Sequence, residues 1–302
     1  MLKDYAQNAA NRQKQNRLKQ FYYFPFSCLM IKRSITLITI KKHILLLIFL
    51  LVSITGIGHP IRPAFKFKTI VIDAGHGGKD PGAHGSHSVE KNVALGIAKK
   101  LEHLVKKNMQ DVNVIMTRRT DRFVELNKRA DIANDNHANL FISIHCNSSP
   151  EGIAKRTHKE RGVMLLVYGF HRKGEQMEAL RENASIYIEK DYKKNYSGYS
   201  ESNPTALIVL NAYLQKYRKQ SILFGEILNK QFVNNNDRKS WGVKEQGVLV
   251  LAHSAMPAVL IETGFINNPV EEKYLNSAEG QNEIARSILH SIKAYRSQIN
   301  IR

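Results

Sequence analysis

The sequence has very little cysteine: Cys28 and Cys146 are the two among 302 residues. Cys28 lies in a basic and apolar amino-terminal segment, so the main folded region keeps only Cys146 and no disulfide can form within it. This excludes the small disulfide-stabilised domains common among secreted proteins. The hydrophobic content of 43% instead supports a substantial core, enough for one large α/β domain or two modest ones.

Acidic residues are also scarce, 26 against 45 lysines and arginines, which gives a formal net charge of +19. The chain beyond residues 1–58 is still basic, so an anionic partner such as nucleic acid, a phospholipid surface or a cell-wall polymer is favoured. Nucleic acid is not predicted as the partner, because no recognisable motif interleaves basic and aromatic residues. The spacing G-x-x-x-x-G-K-S/T is absent around Lys79, which excludes a nucleotide P-loop.

The amino terminus has the layout of an export signal. Residues 43–58 (HILLLIFLLVSITGIG) form an apolar run that follows four basic residues between Lys32 and Lys42. The run is shorter than the roughly 20 residues of a comfortable membrane span, and it ends on a small-x-small pattern at Gly56 to Gly58. A signal peptide is therefore predicted, with an uncleaved membrane anchor as the alternative.

These features divide the chain into three parts. Residues 1–58 are predicted to be an amino-terminal extension with the signal peptide or anchor, and residues 1–29, upstream of Met30, are left out of the fold prediction. Residues 59–66 are predicted to be a linker, and residues 67–302 a single domain. The protein contacts a membrane only if the amino-terminal segment stays uncleaved.

Apolar runs and amphipathic segments alternate along the domain. Residues 90–107, for example, place Val93, Ile97 and Leu101 at helical spacing. The pattern predicts a single α/β domain with a twisted, mixed or mostly parallel sheet flanked by helices. Strands are expected at 68–73, 112–117, 139–145, 162–168, 247–251 and 258–262, and helices at 90–107, 126–136, 204 to about 232 and about 279–297.

The region 171–240 departs from this alternation. Its first part is long, polar and rich in Tyr, Lys and Asn, and an apparently helical run from Pro204 follows. We interpret it as a helical insertion near the functional site, with a regulatory role as one interpretation.

Four residues with metal-binding or proton-transfer chemistry are expected at the ends of successive elements. His76 follows the first strand, His145 and Glu262 are expected to terminate later strands, and Glu90 opens a helix. Each alone has a plain structural interpretation, such as a polar loop residue, a hydrogen-bonded core histidine or a capping carboxylate. Because binding sites of α/β sheets lie at the carboxyl ends of strands, their joint placement indicates one site.

Two histidines and one glutamate are a standard set of protein ligands for catalytic zinc, with water in the fourth position. His76, Glu90 and His145 supply such a set for one zinc ion per chain. A further carboxylate, Glu262, is then placed to move protons as a general acid and base.

Five motifs in chain order resemble the zinc-dependent N-acetylmuramoyl-L-alanine amidases that separate daughter-cell walls. The resemblance covers about Lys68 to Ile292. It implies zinc ligation by His76, Glu90 and His145, a catalytic Glu262, and hydrolysis of the amide between N-acetylmuramic acid and L-alanine in peptidoglycan, in the periplasm or outside the cell. The motifs are IDAGHGGKDPGAHG at 72–85, SVEKNVAL around Glu90, TRRTDRFVELNKRADIAN at 117–134, FISIHCNS at 141–148 and PAVLIETGFINNP at 257–269.

The sequence departs from that family in two places. Cys146 stands where a small residue is usual, which raises a thiol nucleophile as an alternative, but alternation along a strand would turn it away from His145 into the packing. The insertion is longer than a minimal, constitutively active enzyme needs. The resemblance implies that it blocks the zinc through a carboxylate until an activator protein displaces it, with Glu182 as first candidate and Glu189 and Asp191 behind it; a solvated charged segment is the alternative.

Several neighbouring residues have open roles. His84 and His87 could contact substrate or add metal affinity. Arg118 and Arg129 are interpreted either as structural, for example through an Asp121–Arg129 ion pair, or as ligands of a substrate carboxylate.

Two other functions compete with the amidase. One is a catalytically inactive peptidoglycan-binding protein that keeps the fold and the metal, and the other is a different zinc hydrolase of the cell wall, a deacetylase or a peptidase. The presence of Glu262 favours an enzyme, while the products of digestion would separate the hydrolases.

Overall fold

The computed structural model describes residues 40–48, 67–149, 159–169, 176–196 and 204–300. The chain divides into two compact units, Met1–Pro63 and Ala64–Arg302. In the first unit residues 40–48 are helical, while most of the predicted signal segment at 43–58 lies outside the described residues. Among the residues that are described, no helix is long and apolar enough to cross a membrane.

The second unit is built on one six-stranded sheet with the order β2-β1-β3-β6-β4-β5. Strands β2, β1, β3 and β6 run parallel, β4 runs antiparallel to β6, and β5 runs parallel to β4. The predicted α/β fold with a mixed, mostly parallel sheet is confirmed. The strands are β1 (Thr69–Ala74), β2 (Asn113–Met116), β3 (Leu140–Asn147), β4 (Val163–Tyr168), β5 (Ser240–Gln246) and β6 (Ala258–Phe265).

Helices cover both faces of this sheet, as buried parallel strands require. Strands β3 and β6, at its centre, are buried along their whole length. The helices are α1 (Glu90–Asn108), α2 (Leu126–Asp135), α3 (Met177–Asn183), α4 (Tyr192–Asn195), α5 (Pro204–Asn236), α6 (Leu249–Ala252), α7 (Pro269–Asn276) and α8 (Ala278–Asn300), with a 3₁₀ helix at Ala184–Ile188.

The larger core lies on one face, where α1, α5 and α8 pack against the sheet and bury a row of aliphatic and aromatic side chains. The opposite face, here called the site face, carries Val71, Phe141 and Leu260 and is covered by α2, α3 and α6. The side chains packed in the larger core include Val93, Ile97, Leu101, Phe224, Leu228, Phe232, Ile284, Ile288 and Ile292.

The prediction of a strand at 247–251 is wrong. The short apolar run there forms α6, and Val250 and Leu251 are buried on the site face. A short apolar run does not distinguish a buried strand from a buried helical turn. The strand that the sequence did not predict is β5. It is an edge strand, and its half-buried sequence SWGVKEQ gives no apolar signal.

The predicted insertion region 171–240 contains two different kinds of structure. Phe224 and Phe232 of α5 are buried in the larger core, so the second half of that helix is part of the domain's packing. The described segment 176–196, here called the covering segment, contains α3, the 3₁₀ helix and α4 and lies over the site face.

Candidate metal centre

Polar side chains continue the site face where its apolar part ends. Val71 is followed two residues later by Asp73, Phe141 by Ser143 and then His145, and Leu260 by Glu262. Side chains two apart along a strand share a face, and the parallel register sets His145 directly beside Glu262. The expectation that both residues terminate their strands is wrong, since β3 continues to Asn147 and β6 to Phe265. The site lies on the face of the sheet.

His76 reaches this face from the loop after β1, where its backbone has a positive φ of 56°. Its Nδ1 lies 2.8 Å from Asp80 Oδ2, which orients the ring and turns Nε2 toward the site. A carboxylate on the second ring nitrogen is the usual partner of a metal-binding histidine. The preceding glycine is required by space, because a Cβ at Gly75 would overlap the His145 ring.

Glu90 is the first residue of α1, and its carboxylate lies between the two histidines. Oε2 is 3.1 Å from His76 Nε2, and Oε1 is 3.0 Å from His145 Nδ1. Backbone N–H groups of Ala83 and Cys146 each donate to it at 2.8 Å, which holds the carboxylate in place.

Glu182 enters the same centre from α3 in the covering segment. Its Oε2 lies 2.8 Å from His145 Nδ1 and 3.4 Å from His76 Nε2. One ligand atom from each of His76, Glu90, His145 and Glu182 can be chosen so that all four lie within 4.8 Å of one another, and all four residues are buried.

This group can hold a metal ion, and two of its atoms support that interpretation. His76 Nε2 and Glu182 Oε2 are buried and lie 3.4 Å apart, but their contacts within the centre do not have the geometry of a hydrogen bond to any described residue. Buried polar atoms without a hydrogen bond are rare and need an explanation. A metal ion bound between them would be one. Two imidazoles with carboxylates are the donor chemistry that zinc accepts.

The protonation of the centre follows from its crowded carboxylates. Burial opposes the charged form of His145, but Glu182 and Glu90 raise its pKa to about 9. Burial also opposes ionisation of Glu90, yet the nearby His76 imidazolium lowers the pKa of this carboxyl to about 2. The carboxylates are therefore balanced by imidazole protons, which a divalent cation would displace on binding.

Glu262 is fully buried beside this group, and Arg181 of the covering segment contacts it. Arg181 Nη2 donates to Glu262 Oε1 at 2.8 Å, while Oε2 makes no hydrogen bond to any described residue. Burial and the negative charges of Glu182 and Glu90 raise the pKa of Glu262 to about 8, against the opposing effect of Arg181. The role of Arg181 was missed from the sequence, although it directly precedes Glu182.

Arg118 and Arg129 have structural roles behind the site. The predicted Asp121–Arg129 ion pair is wrong, because Arg129 pairs with buried Asp73 at 2.8 Å and Asp121 pairs with Lys91. Arg129 also donates to the backbone carbonyls of Ala74 and His76, and Arg118 to those of Ala74 and Gly75. Both guanidinium groups therefore hold the backbone around His76.

Other candidates lie outside the four-residue group. The prediction that Cys146 points into the packing is confirmed, and burial raises the pKa of its thiol well above the usual range, which excludes a reactive thiolate. Glu189 accepts hydrogen bonds from Leu126 N–H and the Tyr196 hydroxyl. Asp191 is exposed, so Glu182 is the carboxylate of the covering segment that reaches the centre.

The two loop histidines are also apart from the group. His84 lines a cavity whose wall also includes Arg181 and is not part of the four-residue group. His87 lies 3.3 Å from Glu272.

Glu272 of α7 anchors the loop that leads from His76 to Glu90. Its carboxylate accepts hydrogen bonds from the backbone N–H groups of Ser86, His87 and Ser88 and from the Ser88 hydroxyl. Although burial opposes ionisation, these donors lower the pKa of Glu272 below its ordinary value of 4.5. The sequence gives no sign of this contact, which spans more than 180 residues of chain.

Replacing Glu272 by glutamine should lower the free energy of unfolding by about 2 kcal/mol at pH 7, since the new amide group faces a backbone donor. A carboxyl whose pKa is lowered on folding stabilises above its ordinary pKa and loses that contribution as the pH falls through the folded value. Urea unfolding at pH 7 and pH 4 measures both effects. The exposed Glu279→Gln is the control, and an equal loss in both variants would contradict the anchoring role.

A family model described as N-acetylmuramoyl-L-alanine amidase matches residues 70–294. A Buchnera aphidicola protein (subsp. Baizongia pistaciae) provisionally given that enzyme name is 36% identical over 229 residues, covering 75% of this chain and 95% of the relative. The Escherichia coli N-acetylmuramoyl-L-alanine amidase AmiC is 34% identical over 231 residues, covering 75% of this chain, which spans about half of AmiC (52%).

Solved structures agree with these relatives. The catalytic domain of CwlV, an N-acetylmuramoyl-L-alanine amidase from Bacillus (Paenibacillus) polymyxa, is 28% identical with a TM-score of 0.54, covering 76% of this chain and 98% of that one. AmiC2 of Nostoc punctiforme is also 28% identical, with a TM-score of 0.51 and coverage of 77% and 98%.

Proposed function

Because the chain belongs to the N-acetylmuramoyl-L-alanine amidase family, we propose that it hydrolyses the amide bond between N-acetylmuramic acid and L-alanine in peptidoglycan, using zinc held by His76, Glu90 and His145. The observation that carries the proposal is the buried group at the metal centre, in which two imidazoles and two carboxylates converge and two of the facing atoms make no hydrogen bond to a described residue. Zinc in such a site polarises the scissile carbonyl and lowers the pKa of a water molecule toward about 7.

The protein's own residues would supply orientation and proton transfer. Asp80 holds His76 Nδ1, so that Nε2 faces the centre, and two backbone N–H groups hold Glu90. Glu262 Oε2, which has no hydrogen-bond partner in the described structure, would accept a proton from the attacking water and pass it to the amine of L-alanine as the C–N bond breaks. The water oxygen would stay on the lactyl carbonyl carbon, so that the N-acetylmuramic acid side ends as a carboxylate and the amine of L-alanine is the leaving group.

The presence of Glu262 argues against the non-catalytic alternative. A binding protein has no need for a buried carboxylate that lies beside the metal centre and leaves one oxygen without a partner, because such a group carries a desolvation cost. The deacetylase and peptidase alternatives are separated from the amidase by their products.

We further propose that the resting protein is autoinhibited by Glu182. This carboxylate would occupy the position that water needs, with its Oε2 2.8 Å from His145 Nδ1. The gap that His76, His145 and Glu182 share with Leu126 and Val250 measures only about 10 Å³, close to the minimum that holds one water molecule. A glycopeptide cannot enter it while the covering segment is docked.

An activator protein that displaces the covering segment is the partner we propose in addition to peptidoglycan. The segment presents apolar side chains to solvent: Met177 is 60% exposed, Leu180 67% and Tyr187 68%. Peptidoglycan lies outside the cytoplasmic membrane, which fits the predicted export signal and a periplasmic or secreted location, with membrane anchorage as the alternative.

Digestion of purified peptidoglycan by residues 59–302 should release peptides whose first residue is L-alanine, identified by mass. The Glu182→Ala variant is run beside the wild type, so that a covered site does not hide the activity. A chelator should abolish the release, and added zinc should restore it with about one zinc per chain by elemental analysis. Cleaved glycan strands, cleaved cross-bridges or chelator-resistant release would refute the mechanism.

A further inference from the structure

A cavity of about 500 Å³ is lined by Arg181, the residue whose guanidinium contacts Glu262. Its wall combines apolar side chains of the sheet with polar groups at the ends of β3 and α3. The lining residues that matter here are Asn147, Ser148, Met164, Arg181, Trp241 and Phe265. Ligand sites are typically apolar clefts of this size with a few placed polar groups.

Asn147 is the unexplained polar residue of this wall. It is 2% exposed, and its Nδ2 makes no hydrogen bond to the described residues. The amide cannot be flipped, because Oδ1 already accepts from Ser148 N–H at 2.7 Å and from Arg181 Nη1 at 2.6 Å. A buried donor without a partner costs free energy, which a ligand carrying an acceptor would recover.

The backbone around Asn147 is also irregular. His145 pairs with Glu262, but Asn147 pairs with Phe265, so β6 has one extra residue between the two positions. Bulges of this kind occur next to active sites, where they redirect a side chain.

Arg181 occupies the place where a ligand would meet Asn147. Its planar guanidinium donates to Glu262 Oε1 at 2.8 Å, to Asn147 Oδ1 at 2.6 Å and to the Ser148 carbonyl at 3.1 Å. A flat group bearing N–H donors thus already bridges the proposed catalytic carboxylate and two amide oxygens. If Arg181 moved away, the acceptors Asn147 Oδ1 and the Ser148 carbonyl would face a ligand next to the donor Asn147 Nδ2. The acceptors could bind the N–H of a substrate amide, and the donor could bind its C=O.

We propose that Asn147 and the Ser148 carbonyl hold an amide group of the glycopeptide beside Glu262, and that Arg181 fills this subsite in the resting protein. The inference rests on the proposed function. Asn147 is a binding and positioning residue in this scheme, and the amide it holds belongs either to the stem peptide or to the N-acetyl group of the sugar. Arg181 then blocks the amide subsite and Glu182 blocks the metal centre, from adjacent positions of helix α3.

The test measures ligand binding to the full-length double variant Glu182→Ala/Glu262→Gln, here called the opened variant. The first substitution removes the carboxylate that blocks the metal centre, and the second prevents hydrolysis of the ligand. The Kd of this variant for N-acetylmuramoyl-L-alanyl-D-isoglutamine is determined by titration calorimetry, with N-acetylmuramic acid and L-alanyl-D-isoglutamine as separate arms that show which amide is held. Adding Asn147→Asp or Asn147→Ala should raise Kd roughly tenfold, the change that about 1.4 kcal/mol produces. Adding Arg181→Ala should lower Kd or leave it unchanged.

The exposed Asn136→Asp is the matched control and should not alter Kd. Thermal unfolding of each variant identifies misfolding, and Asn147→Ala covers the case in which a further carboxylate next to Glu262 prevents folding. In the single variant Glu182→Ala, the same Asn147 changes should raise KM more than they lower kcat.

Equal Kd values with and without Asn147, or no binding of N-acetylmuramoyl-L-alanyl-D-isoglutamine by the opened variant, would overturn the subsite. That result leaves the proposed function standing if the active protein still releases peptides beginning with L-alanine. Absence of those peptides would instead refute the function.

Discussion

Glu262→Gln should lower kcat on peptidoglycan by about 10²- to 10⁴-fold, the contribution that a positioned general acid and base makes. Glutamine has nearly the same shape but cannot accept a proton at the position of Oε2. The loss should fall on kcat, because a group that moves a proton acts in the transition state rather than in substrate binding.

The comparison is made in the Glu182→Ala background, with zinc content measured for each protein. Zinc per chain should stay unchanged, because His76, Glu90 and His145 are intact. The exposed Glu226→Gln is the control for removing one negative charge. A Glu262→Gln variant that keeps more than a tenth of kcat, or one that loses its zinc, would remove Glu262 from the proposed catalytic role.

The part of the site that could be predicted from the sequence comes from abrupt changes of polarity. The runs LFISIH and AVLIE lead apolar strands directly into His145 and Glu262, and central strands buried on both faces admit such groups only for a reason. Glu90 was recognisable at the start of an amphipathic helix, and the fold class followed from the alternation of elements.

The parts that were missed depend on contacts distant along the chain. Arg181 meets Glu262 across 81 residues, and Arg129 meets Asp73 across 56. Hydrophobic periodicity carries no information about which charged side chains become neighbours in the fold.

The unpaired Nδ2 of Asn147 likewise emerges only when both partners of its Oδ1 are known. Strand β5 was missed for a local reason, because an edge strand with polar side chains resembles a loop in sequence.

Glu182→Gln should raise the basal rate of peptidoglycan hydrolysis by about 10- to 1,000-fold, if the open form of the wild type is a minor state populated at 0.1–10%. The substitution removes the charge that faces His76 and His145 and weakens the hold of α3 on the centre. Glu182→Ala removes the side chain as well and should raise the rate at least as much.

Deletion of residues 174–200 should act in the same direction, but it also removes Ala179 and Tyr196 from the packing of the site face. Point variants are therefore the cleaner test.

Asp191→Asn is the matched control for Glu182→Gln, because it removes one negative charge from the same covering segment. Asp191 is exposed and has a left-handed backbone with φ of 61°, which asparagine tolerates. Its rate should equal that of the wild type, which separates a specific effect at the centre from a general change in charge. If Glu182→Gln and Asp191→Asn show the same rate in folded proteins that bind zinc, Glu182 does not block the site, and the docked segment must be explained as structure alone.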